Sequence, residues 1–102
     1  MKLPQYNMFL QCINSAFKAQ INTGVDIALN LRTVTTFGDA TSETDQQNPR
    51  AFSLVFEGAL ENFLPQAMYQ FSQPDLGEFE LFIVPIGPTQ DGSQMRYEAI
   101  FN

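Results

Sequence analysis

Glu78 and Glu80 stand two residues apart, the nearest this sequence comes to a catalytic pair. On one face of a strand their carboxyls would lie about 6.5–7 Å apart, a separation compatible with the acid and base of a glycosidase. Outward strand carboxylates are ordinarily just solvated, so the pair is expected to do no chemistry. Other chemistries fail for want of a residue. The chain contains no His, so Ser15, Ser53, Ser72 and Cys12 lack the usual base to activate them, and a metal site would lack its commonest ligand. Cys12 is the one cysteine, which excludes an internal disulfide and a thiolate metal cluster. It suits a reducing compartment and is expected to be a small buried hydrophobe rather than a reactive thiol. The run Asp39-x-Thr41-x-Glu43-x-Asp45 spaces oxygen ligands as a calcium loop does, but Thr44 stands where the loop needs Gly and Arg50 where it needs Glu. A solvated, flexible loop is the expectation there. Gly87-Pro88 to Gly92 has no Lys after its glycines and no following helix, so it cradles no phosphate. No cofactor and no metal are expected, and the protein is read as a non-enzyme.

Charge narrows the partners. Eleven acidic and five basic side chains leave a net charge of −6, and no stripe gathers Lys2, Lys18, Arg32, Arg50 and Arg96. Such a field repels a phosphate backbone or an anionic bilayer surface, so nucleic acid and membrane are not expected partners. The longest apolar run, Leu81 to Ile86, has the length of a strand and not of a membrane span. Met1 to Asn7 lacks the apolar core of a signal peptide. The expected location is the cytoplasm, before any assembly.

The elements that would position these residues are mostly strands. Tyr6, Phe9, Leu10 and Ile13 recur at helical spacing, predicting a short amphipathic helix of about ten residues that lids one end of a barrel. Phe17, Ala19 and Ile21 alternate with polar residues, Asn22-Thr23-Gly24 turns the chain, and Val25, Ile27, Leu29 and Leu31 then face one way while Asp26, Asn30 and Arg32 face the other. From Thr36 to Ala51 the pattern dissolves into a long polar loop, of a length that is usually mobile or functional. Phe52, Leu54 and Phe56 line a third strand, and an irregular connection runs from Glu57 to Gln66. Ala67 to Ser72 and Phe79 to Ile86 form a hairpin. Pro74 and Asp75 suit the centre of a type I turn there, with Gly77 at the left-handed position after it. Arg96 to Phe101 pairs last, across Thr89 to Ser93, and the chain is expected to finish inside its fold. The fold class is therefore mainly β: a six-stranded antiparallel small barrel or rolled sheet with one short N-terminal helix, a single domain over residues 1–102. Ten Phe and no Trp would supply much of the core, each buried ring contributing about 1.5–3 kcal/mol.

One strand breaks the two-sided rule. Phe79, Leu81 and Ile83 share a face, yet Phe82, Val84 and Ile86 occupy the other, which ought to be wet. Either the helix and the segment around Phe63 cover that face, or another subunit does. Pro85, with no N–H to donate, suits an edge position.

Phe52 to Gly58, Leu64 to Tyr69, Pro74 to Gly77, Leu81 to Gly87 and Tyr97 to Asn102 together resemble a small bacterial family, domain of unknown function 6916. The likeness is strong over the C-terminal half and a matter of pattern over the N-terminal half. It implies a stand-alone protein of no assigned activity, encoded beside phage tail-collar-like, fibre-forming proteins, and it carries over no functional residues. The function expected is a non-catalytic structural or assembly module. It would bind a protein partner or its own copies through strand edges and the face Phe82, Val84 and Ile86. A barrel holding an apolar ligand in its interior is the alternative, and a carboxylate-dependent hydrolase the third reading.

Overall fold

The computed structural model describes residues 3–22, 24–36 and 51–101. Helix α1 (Tyr6–Leu10) is followed by β1 (Ala16–Asn22), β2 (Val25–Thr36), β3 (Phe52–Ala59), a 3-10 turn at Leu60–Asn62, β4 (Ala67–Gln73), β5 (Gly77–Pro88) and β6 (Gln94–Phe101). The six strands close an antiparallel barrel in the order β1-β2-β3-β6-β5-β4, with β4 returning to β1. Every strand therefore has a neighbour on each side. The polar segment read as a long loop lies outside the described residues over 37–50, and with it the calcium-like run Asp39 to Asp45.

Alternation sets the inside of the wall. Along β3, Phe52, Leu54, Phe56 and Gly58 are buried while Ser53, Val55, Glu57 and Ala59 are partly exposed, the period of a strand with one dry face. Phe71 of β4, Phe79, Leu81 and Ile83 of β5, and Tyr97 and Ala99 of β6 complete the same interior. Rings fill it: Phe17 meets Phe56 at 5.2 Å, Phe56 meets Phe71 at 5.3 Å and Phe71 meets Phe79 at 6.2 Å between centroids. Side chains, rather than a lumen, occupy the centre.

Both ends are stoppered. At one, α1 lowers Phe9 among Phe17, Phe52, Phe79 and Phe101, drawn from β1, β3, β5 and β6, at centroid separations of 5.6 to 6.4 Å. The expected lid is thus present, but it is five residues long. Leu10 consequently stays exposed, and Cys12 and Ile13 pack beyond the end of the helix. Asn14 reverses the chain in the left-handed region at φ 72°, and its N–H donates to Leu31 O at 2.6 Å. At the other end Leu64 is buried, and its N–H donates to the Tyr97 hydroxyl at 3.0 Å.

Three register shifts depart from the sequence pattern. In β1, Gln20 pairs with Asp26 and Asn22 with Val25, so Ile21 is an extra residue and is exposed. Leu31 pairs with Phe56 but Thr33 with Val55, so Arg32 is an extra residue, and Val34 instead of Thr33 turns toward the core. Likewise Pro85 pairs with Tyr97 and Gly87 with Arg96, which makes Ile86 the extra residue of β5, beside Gly87 at φ 105°. The predicted turn is as read: Leu76 N–H donates to Gln73 O at 3.1 Å, and Gly77 takes φ 82°. The Gln73 side chain, itself buried, accepts from the N–H groups of Asp75 and Leu76 at 2.6 and 3.0 Å. Val25, expected on the dry face, is exposed. Its hairpin runs past the wall, since β4 supports β1 only from Lys18 to Gln20.

Candidate functional site

The expectation that α1 or the Phe63 segment covers the outer face of β5 does not hold. The helix sits at the barrel end, and Phe63 lies against Tyr97 at 6.4 Å, leaving Phe82 47% exposed. Strand geometry then decides Phe82's neighbours. Met68 of β4 is its direct cross-strand partner, and the β5–β6 register of Val84 with Glu98, carried two residues on, brings Phe82 opposite Ile100. Met68 is 57%, Ile100 58% and Leu3 46% exposed, and these residues line one groove of about 280 Å³ with Glu80, Leu81, Ala99 and Phe101. An apolar strip thus crosses three strands on the outside of a barrel whose inside is already full.

Of the three residues read from sequence, Phe82 enters this groove. Val84 stands two residues along on the same wall, half-buried and opposite Glu98, and Ile86 sits on the bulge, 37% exposed. Val84 and Ile86 do not line the groove. The bulge interrupts the alternation only at Ile86, after Phe82 and Val84. Sequence reading missed Met68, Ile100 and Leu3. Met68 was legible as an outward residue of β4, but its meeting with Ile100 depends on β5 lying between β4 and β6.

Glu78 and Glu80 are both exposed, opposite Ser72 and Gln70 across the β4–β5 ladder. They do not converge on a cleft. Cys12 is a buried free thiol; burial pushes its pKa up, and the Asp75 carboxylate adds to this. Such a thiol is a poor nucleophile at neutral pH. Among the described residues no group of three or more His, Cys, Asp or Glu could hold a metal ion. No described helix is long and apolar enough to cross a membrane.

Among the described residues, two further concavities lie on the barrel. A polar one of about 470 Å³ is bounded by Arg32, Glu57, Gln94 and the turn from Thr89 to Ser93. Arg32 Nε donates to Glu57 Oε1 at 3.1 Å and Arg32 Nη1 to Asn14 Oδ1 at 3.0 Å. Glu57 also faces Arg96 across the β3–β6 ladder, but its carboxylate is engaged by Arg32, and Arg96 Nε is buried without a partner among the described residues. In the turn, Asp91 Oδ1 accepts from Thr89 Oγ1, Ser93 N and Ser93 Oγ at 2.6, 3.0 and 2.8 Å. Those donors hold its carboxyl down at about 2, with no converging base to make it reactive. The other concavity, about 380 Å³, lies between Ile21, Ile27, Phe63, Leu64, Pro65 and Tyr69. The Tyr69 hydroxyl donates to Pro65 O at 2.6 Å and ties that end of β4 to the connection before it.

The family described as a domain of unknown function (DUF6916) matches residues 4–101. No curated protein and no solved structure matches the chain.

Proposed function

The chain belongs to the DUF6916 family, and from that premise we propose that it is a non-catalytic module that docks a protein partner on the outer face of β4, β5 and β6. One observation carries this reading: Met68, Phe82 and Ile100 are large, apolar, exposed and in a single groove, on a barrel whose interior needs none of them. Aromatic and Met side chains grouped in this way are the usual anchors of a protein interface. Closure of the barrel favours the face over a strand edge as the means of contact. The packed interior weighs against an apolar ligand inside the barrel. The setting implied by the family resemblance is a bacterial, fibre-forming, phage-tail-like assembly, in which such a module would be an accessory or structural part.

A triple variant, Met68→Ser, Phe82→Ser and Ile100→Ser, tests the proposal. These outward changes should leave folding stability within about 0.5 kcal/mol per site. Immobilised wild-type protein should retain from its native host a partner that the variant loses. Equal retention by both proteins would sink the reading.

A further inference from the structure

The proposed docking face carries a charge pattern of its own. Along β5, Glu80 precedes Phe82 by two residues, and along β6, Glu98 precedes Ile100 by two. Residues two apart on a strand share a face about 6.5–7 Å apart. The strands are antiparallel, so the two carboxylates fall on opposite sides of the apolar strip: Glu98 is level with Val84, and Glu80 lies beyond Phe82 in the other direction. Four residues of strand, about 13 Å, separate their levels. Neither is held in a salt bridge among the described residues. Opposite Glu80 is Gln70, opposite Glu98 are Val84 and Val55, and neither glutamate pairs with a basic side chain among the described residues. Arg96 lies two residues before Glu98 on the same face of β6, on the side away from Ile100; no ion pair joins the two, and its Nε is buried against the wall.

Resting on the docking reading above, we infer that the occupant of this face is an extended segment of another protein with the pattern basic-x-apolar-x-basic. In an extended chain the first, third and fifth side chains share a face and span about 13 Å, which matches the interval between the levels of Glu98 and Glu80. The central apolar side chain enters the groove of Met68, Phe82 and Ile100, while the flanking ammonium or guanidinium groups meet the two carboxylates. A second copy of this chain is a poor occupant. A two-fold pairing of the face with itself would bring Glu80 and Glu98 of both copies together, on chains each carrying −6.

Two capped peptides test this, one of pattern Lys-Thr-Phe-Thr-Lys and one with Glu in place of both Lys, titrated into isotopically labelled full-length protein at low salt and followed by backbone amide shifts. The lysine peptide should move the amides of Met68, Phe82 and Ile100, and bind roughly tenfold more tightly than the glutamate peptide. Glu80→Gln with Glu98→Gln should remove that preference while leaving the amide spectrum folded. Equal binding of both peptides at the face would overturn the inference about charge and leave the docking face standing. Binding elsewhere, or no binding by either peptide, would overturn both. A dimer in light scattering that protects Phe82 would replace the cationic partner by a second copy.

Discussion

Tyr97 shows how much of this barrel rests on one polar atom. Its ring is fully buried on β6, and its hydroxyl accepts the N–H of Leu64, the residue that stops the end opposite α1. Burial pushes its phenol pKa up, with the Leu64 bond partly opposing. Removing the oxygen leaves a buried N–H with no acceptor, and such orphaned groups cost about 1–3 kcal/mol. Tyr97→Phe should therefore lower stability in chemical denaturation by that amount and accelerate hydrogen exchange at the Leu64 amide. Unchanged exchange would mean that Leu64 finds another acceptor. Tyr97 was legible as a strand residue near the end of the chain. The bond was not, because it joins residues 33 apart in sequence and exists only once the connection after β3 folds over the barrel mouth.

At the scale of elements, Gly58 on β3 is the tightest point of the wall. It lies opposite Leu29 of β2, and a Cβ built there would run into Leu29 Cδ2, with Ala28 O at 3.5 Å and Tyr97 Cε2 at 3.7 Å. Leu29 is itself buried and cannot swing into solvent. Gly58→Ala should thus cost about 1–3 kcal/mol as an overpacked site, measured by the midpoint of denaturant unfolding, although Gly itself weakens a strand interior. The sequence reading ended this strand at Phe56, since nothing local says that a neighbour approaches so closely. The same limit explains the bulges. Alternation holds in β2 from Ile27 to Leu31 and in β5 from Phe79 to Pro85, but an extra residue is then inserted to suit the partner strand, and its own strand carries no mark of it. The turn from Gln73 to Gly77 was fully legible, because Pro, Asp and Gly set backbone angles locally. For the candidate site this divides the outcome. The exposed Phe82 followed from period-two counting, Ile86 was displaced by a bulge, and Met68 and Ile100 required the order of strands around the barrel.

The whole molecule separates two kinds of aromatic residue that composition alone cannot tell apart. Phe9 is completely buried and touches rings from four strands, so it joins elements far apart in sequence into one core. Phe82 is nearly half exposed and lies on the outside of the same wall. Truncating a buried Phe costs about 3–5 kcal/mol, a large share of the roughly 5–15 kcal/mol that holds a domain of this size folded. Phe9→Ala should accordingly lower the unfolding midpoint for the entire barrel in a single cooperative transition, seen alike by circular dichroism and by tyrosine fluorescence. Phe82→Ala should leave that midpoint almost where it was. A separate early transition in Phe9→Ala would show that α1 is an appended lid rather than part of the core. A large loss of stability in Phe82→Ala would show that its ring supports the fold, and the outer groove would then lose its standing as a surface kept for a partner.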